Sequence, residues 1–261
     1  TPESYHLLSA DDAGRLERDL IVMKFGGSSI ATAAKVEACV SLVEAERQRS
    51  PLVVVSAHGK TTNRLIQAAQ AALHGEVDVA PVEEFHRKLV SELGLREDLI
   101  DPLLRELGAF LQGVSLIQEL TLRTLDHIMS FGERLSTRIV AAAMAKNGLS
   151  ATPADAFDMG LLTDDRHGSA SPLPDIHRGI AAYLAAVEGI PVITGFLGRN
   201  RRGDITTLGR SGSDFTASIM GAAVAAAEVQ IWPDVSGMMT CDPSLDPTAK
   251  SLRRLSFDEA S

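Results

Sequence analysis

Short apolar runs rich in β-branched residues recur along the chain at 20–25 (LIVMKF), 51–57 (PLVVVSA), 151–157 (ATPADAF), 190–196 (IPVITGF) and 228–234 (EVQIWPD). Runs of this length that do not alternate with polar residues predict strands buried on both faces, as in a parallel sheet. Between them lie helical periods: 30–49 is amphipathic, 61–73 is rich in Ala and Leu, and 130–147 carries Leu135, Ile139, Val140 and Met144 at helical spacing. Strand and helix in alternation predict an α/β fold with right-handed crossovers. The stretch from about 75 to 128 breaks this rhythm and reads as a helical insertion with helices at 82–93 and 114–127. The segment at 198–214 (GRNRRGDITTLGRSGSD) is dense in turn residues and predicts a hairpin and a loop feeding a helix that runs to about 227.

Composition narrows the functional classes. Of 261 residues, 45% are hydrophobic and 23% charged, a globular balance that excludes disordered, collagenous and coiled-coil chains. Because 34 Asp and Glu outnumber 25 Lys and Arg, the formal net charge is -9, the wrong sign for binding nucleic acid through a basic field, and a small-molecule role is favoured. No apolar run reaches the roughly 18 residues of a membrane span. Cys39 and Cys241 stand alone and the seven histidines lack ligand spacing, so neither a disulfide framework nor a metal site is expected, and a cytoplasmic location fits. Residues 1–19, too acidic and polar for a secretory signal, read as a peripheral extension to a domain spanning 20–261. Ser256 and Glu259 begin a capping box just before Ser261, which predicts that the natural polypeptide continues.

Several segments could carry chemistry. After the first strand, Lys24 to Ser29 (KFGGSS) offers Gly26 and Gly27, where backbone can approach an anion, with Lys24 as a nearby point charge. It matches neither the P-loop nor the dinucleotide fingerprint, and by itself such a turn is compatible with a purely structural role. In LGRSGSDFTAS at 208–218, Ser213 is a candidate N-cap, Asp214 falls in the first helical turn, and Arg210 could form a fork with a carboxylate or phosphate. SAHGKTTN at 56–63 ends the second strand, on the side where doubly wound sheets bind ligands. SFGERLSTR at 130–138 places Glu133 among apolar neighbours near an expected helix start, where interaction with the helix dipole is the simpler account.

In combination, VMKFGGSS, VVSAHGKTTN, SFGERLS, TTLGRSGSDFTAS and IWPDVSGMMTCDP resemble, in order and spacing, the catalytic domain of the aspartate kinases of the amino-acid kinase superfamily, over about 20–261. The resemblance implies a three-layer α/β/α sandwich around about eight mainly parallel strands. It also implies transfer of the γ-phosphoryl of MgATP to the β-carboxylate of L-aspartate, giving 4-phospho-L-aspartate, at the head of lysine and threonine biosynthesis. A non-catalytic aspartate-binding homologue with altered nucleotide use, or a kinase for another carboxylate, is the alternative.

The resemblance further implies roles for single residues. Lys24 and Asp214 would be catalytic, and Ser56, Thr62, Glu133 and Arg210 would bind substrate, the last two at its ammonium and α-carboxylate. Lys24, Gly26, Gly27, Ser28, Asp234, Gly237 and Asp242 would bind nucleotide, ATP with Mg2+ would be the cofactor, and a homodimer is implied. Pro233, Met239 and Ser244 replace the threonine, tyrosine and arginine usual in that family, which predicts weakened nucleotide contacts. Regulatory ACT domains usually follow this domain and are missing from the 261 residues.

Overall fold

The structure, a computed structural model, describes residues 20–233 together with 240, 246, 248–250 and 252. Five parallel strands form the central sheet: β1 (Ile21–Phe25), β2 (Leu52–Val55), β3 (Ala151–Ala154), β4 (Ile190–Thr194) and a fifth, Glu228–Trp232. A separate antiparallel hairpin supplies β5 (Leu197–Arg199) and β6 (Ile205–Thr207), so the strand at Glu228–Trp232 is β7. Among the described residues the sheet has five parallel strands where the resemblance implies about eight; the hairpin strands form a separate pair, with Arg199 also bridging Leu162.

The order across the sheet is β3-β4-β2-β1-β7. β1 and β2 are buried at every position, whereas β7, expected to be buried, is an edge strand among the described residues, with Val229 and Ile231 exposed.

Helices α1 (Ala33–Ala45), α2 (Thr61–Leu73), α3 (Ala80–Glu92), α4 (Asp101–Ile117) and α5 (Leu122–Lys146) cover one face. Met23, Phe25, Val53 and Val55 pack there against Val36, Leu65, Val82, Leu107 and Leu135. Helices α6 (His177–Ala185) and α7 (Gly212–Ala223) cover the other, where Val22, Val54 and Ile193 meet Ile180, Ala217 and Met220. Alternate residues of each strand therefore face different helical layers, which makes the expected three-layer α/β/α sandwich. No described helix is long and apolar enough to cross a membrane.

The insertion departs from its expected boundaries. A helix expected over 114–127 is cut in two: Gln118 adopts φ +56° and ends α4, and the Thr121 hydroxyl accepts the Thr124 N–H to start α5. The helix expected at 130–147 is the continuation of α5, which runs for 25 residues. Glu133 therefore sits in mid-helix, far from the helix start where a dipole partner would belong. At α7 the N-cap is Ser211, in the left-handed region at φ +58°, so Ser213 belongs to the first turn, and the helix stops at Ala223 before Ala225 at φ +48°.

Candidate active site

The carboxyl ends of β1 and β2 open into a cleft of about 410 Å3 closed on its other side by the N-terminus of α7. Lys24, the penultimate residue of β1, is 9% exposed despite its charge, and its Nζ lies 2.7 Å from Asp214 Oδ1 in the first turn of α7. An ammonium held this far from water requires such a partner. Asp214 itself is half-exposed, so one side of the pair faces the cleft.

Beyond Phe25 the chain turns through Gly26 and Gly27 into a short 3-10 turn, Ser28–Ile30. Gly27 is required by close approach rather than by dihedral angle, for its φ is -60° and a Cβ there would stand 2.4 Å from the Ala57 carbonyl oxygen. The Gly59 N–H donates to the Gly27 carbonyl at 2.8 Å, locking this turn to the loop after β2. Amide groups at the start of such a turn and at the N-terminus of α7 have no partner within their own helices, which suits them to an anion.

Glu133 enters from α5. Gly132 lets the helix come close, since a Cβ there would be 2.7 Å from Ala57 Cβ. The Ala57 N–H donates to Glu133 Oε1 at 3.1 Å, while Oε2 is buried without a partner among the described residues. Burial pushes the carboxyl up to about 8, against a smaller opposing effect of the Ala57 N–H, so at neutral pH Glu133 is held in its uncharged form. A buried carboxyl with one free oxygen is primed for a cation that would restore its charge.

Lys24, Gly27, Ser28, Ser56, Thr62, Glu133 and Asp214 all line this cleft, and Gly26 adjoins it, with its Cβ position 3.8 Å from Lys24 Nζ. Arg210 is the exception: it is exposed on the turn before Ser211 and is not part of the cleft wall. Asp234, Gly237 and Asp242, expected on the nucleotide side, lie outside the described residues, as do Met239 and Ser244. Sequence reasoning missed Phe196, which lines the cleft at φ +66° with its N–H given to Thr216 Oγ1 at 3.0 Å; nothing local in GFLG announces that conformation.

Asp126 was missed as well. Wholly buried on α5, it accepts from Thr207 Oγ1 at 2.6 Å, from the Gly168 N–H at 3.0 Å and from His167 Nδ1 at 2.8 Å. It thereby ties the loop at 167–168 to β6 and backs the Gly209 turn, since a Cβ on Gly209 would meet the Gly168 carbonyl oxygen at 3.5 Å. An acid among Leu125, Ile128 and Met129 at helical spacing was the available signal.

A larger cavity of about 480 Å3 lies between α4, α5 and the hairpin, away from the strand ends. Its charges are spent on one another: Arg134 binds both oxygens of Glu106 at 3.1 and 2.9 Å, Arg199 lies 3.6 Å from Asp158, and Arg123 lies 3.4 Å from Asp204. The smaller cleft, with an orphan carboxylate oxygen and a lysine aimed at a helix N-terminus, is the better candidate for chemistry.

Comparison with known proteins bears on this site. The family model for the amino acid kinase family matches residues 19–261. The chain is 39% identical over 264 residues to aspartokinase 2, chloroplastic, of Arabidopsis thaliana, covering 97% of this chain and 48% of that protein. It is 32% identical to the aspartokinase of Schizosaccharomyces pombe, covering 92% of this chain and 50% of that one. Among solved structures, E. coli aspartokinase III in complex with aspartate and ADP aligns with a TM-score of 0.78 at 27% identity, covering 89% of this chain and 53% of that chain. The chain spans about half the length of the curated relatives it matches.

Proposed function

This chain belongs to the amino acid kinase family, and from that premise we propose that it is an aspartate kinase domain, transferring the γ-phosphoryl of ATP to the β-carboxylate of L-aspartate. The observation that carries the reading is the convergence in one cleft of the Lys24–Asp214 pair with the half-satisfied carboxyl of Glu133. Likeness to aspartokinases over nearly the whole chain supports the same reading.

The β-carboxylate of aspartate, with an ordinary pKa near 4, is ionised at pH 7 and attacks the γ-phosphorus without a general base. The bond from phosphorus to the bridging oxygen breaks and ADP carries away that electron pair. Protein catalysis then reduces to positioning and charge neutralisation. Lys24 meets the charge on the transferring phosphoryl group, and Asp214 holds the ammonium in place. Amide groups of Gly27 and Ser28 cradle phosphate oxygens, with Gly26 leaving room beside Lys24. Glu133 takes the α-ammonium, and Ser56 and Thr62 add hydroxyl contacts. Arg210, exposed between the cleft-lining Gly209 and Ser211, is the proposed partner of the α-carboxylate.

Mg2+ keeps several waters and binds through one or two carboxylates plus substrate phosphates. The half-exposed Asp214 beside Lys24 is a carboxylate of that kind, so the residues fit the ion; when bound it would draw charge from the phosphates. Asp234, Gly237 and Asp242 complete the nucleotide side of the proposal, and a homodimer is the proposed assembly. Pro233, which has neither N–H nor hydroxyl, favours one second reading, an aspartate-binding homologue with altered nucleotide use.

Hydroxylamine trapping of the acyl phosphate separates these readings, with MgATP and MgGTP supplied against a panel of amino acids and N-acetyl-aspartate. Aspartyl hydroxamate from aspartate and ATP is the expected product. Equal reaction of N-acetyl-aspartate would remove Glu133 as the ammonium partner, and no product with any nucleotide would favour the second reading.

A further inference from the structure

We propose that His58 is a positioning residue for phosphoryl transfer, a strut whose Nδ1–H sets the Gly26–Ile30 turn against the loop that holds Glu133; this rests on the kinase reading above. His58 is wholly buried behind the cleft and does not line it. Its Nδ1 lies 2.7 Å from the carbonyl oxygen of Ile30, and because a carbonyl only accepts, that nitrogen carries the hydrogen. Nε2 is then a buried lone pair, and it has no partner among the described residues. The ring thus makes one directed bond, and that bond ends on the last residue of the turn that begins at Gly26.

The surrounding bonds show what the strut connects. Within Ala57, His58 and Gly59, the Ala57 N–H goes to Glu133, the His58 N–H to Ser136 Oγ at 2.9 Å, and the Gly59 N–H to the Gly27 carbonyl. Thr61 Oγ1 donates back to the His58 carbonyl at 2.7 Å and fixes the loop at the start of α2. All but one of these links to α5 and to the turn use the backbone of 57–59 and do not depend on side-chain identity. The imidazole of His58 is the exception, and it fixes the far end of the turn, while Gly59 fixes its middle. Lys24 and the amides of Gly27 and Ser28 must meet one phosphoryl group, so a shift of the turn separates them from Glu133 without removing any group that touches substrate.

The pair His58→Asn and His58→Gln tests the strut in the whole chain. An Asn side-chain amide can take the place of Nδ1, whereas a Gln amide reaches toward Nε2, where no partner waits. His58→Gln is expected to lower kcat by about tenfold or more with KM for aspartate little changed, because the Ala57 link to Glu133 is backbone. His58→Asn is expected to recover most of that loss. Amide exchange supplies a readout independent of activity: the Ser29 and Gly59 N–H groups should exchange faster in His58→Gln than in the parent or His58→Asn, with β4 unchanged. Wild-type turnover and exchange in His58→Gln would overturn the proposal, and so would equal damage in both variants. A parent chain that does not phosphorylate aspartate would sink the kinase reading alone, since the exchange comparison would still decide the strut.

Discussion

Lys24 on the first strand and Asp214 on the last described helix, distant in sequence, meet with their charged atoms 2.7 Å apart at the mouth of one cleft. The pair joins β1 to α7, but half of Asp214 is in water, so its contribution to folding is small next to that of the apolar layers on either side of the sheet. Lys24→Ala is therefore expected to leave the thermal transition nearly unchanged and to lower kcat by about a hundredfold or more, the scale of losing one preorganised charge-stabilising donor. Hydroxamate assay and thermal melting on the same preparation check both halves. Turnover within a few-fold of the parent would remove Lys24 from the chemistry.

Glu133 gives a pH signature with a definite sign. Its carboxyl titrates at about 8 in the folded chain against 4.5 for an ordinary glutamate, so the folded state holds a proton that the unfolded state releases between those values. Its stabilising contribution is complete below about 4.5 and is lost as pH rises through about 8, and Glu133→Gln should flatten that part of the stability curve. An ammonium-bearing ligand reverses the preference. Aspartate binding at pH 7 should release close to one proton, visible by calorimetry in buffers of different ionisation enthalpy, and Glu133→Gln should abolish the release. Proton uptake in place of release would show that the ligand's ammonium goes elsewhere.

Asp126 is expected to matter for stability ahead of catalysis. Asparagine keeps one oxygen but presents an N–H2 to donors, the Gly168 N–H and the Thr207 hydroxyl, that already converge on this side chain. Asp126→Asn should cost about 1–3 kcal/mol, the range for leaving a buried polar group unpaired. Urea unfolding should show a lower midpoint at unchanged slope. An unchanged midpoint would mean the 167–168 loop is held by other contacts.

The nucleotide side follows from Pro233, which directly follows β7, exposed and without N–H or hydroxyl, and from Met239 and Ser244 in the sequence beyond it. Each lost contact is worth about 1–3 kcal/mol where it would otherwise form. ATP is expected to bind with a Kd of about 1 mM or weaker, and Pro233→Thr, Met239→Tyr and Ser244→Arg together should tighten it. Calorimetry on the chain and the triple variant decides; micromolar binding by the unaltered chain would show that other groups have replaced these contacts.

The buried centre of the fold was legible because β2 is an unbroken apolar run and β1 and β4 are interrupted only by Lys24 and Thr194 near their ends, a pattern that burial on both faces demands. Helix α2 falls at 61–73 as its periodicity predicts. The break at 118–121 was hidden because Leu116, Ile117 and Leu122 continue an apolar pattern while lying exposed, so composition imitated a buried helix where only a cap and one left-handed residue divide it. In the cleft, local motifs located Lys24, Gly27 and Asp214, which stand at ends of strands and helices. Glu133 was noticed but misplaced, since its burial depends on Gly132 and Ala57 meeting across the fold. The links from Asp126 to 167–168 and 207, and from His58 to Ile30, depend on tertiary contact that no local spacing encodes.

The sheet order also sets a schedule for biosynthesis. β1 lies between β2 and β7, with Phe25 opposite Trp232, so the first described strand has as one neighbour the last of the described strands. On the ribosome, β1 and β2 can pair early, but the other edge of β1 stays an unsatisfied row of amides and carbonyls until residue 232 has emerged. Asp214 reaches Lys24 within the same late interval. A nascent chain therefore carries an open, apolar edge and an unformed cleft together until residues 212–232 have emerged, the helix completing the cleft and β7 then pairing the edge.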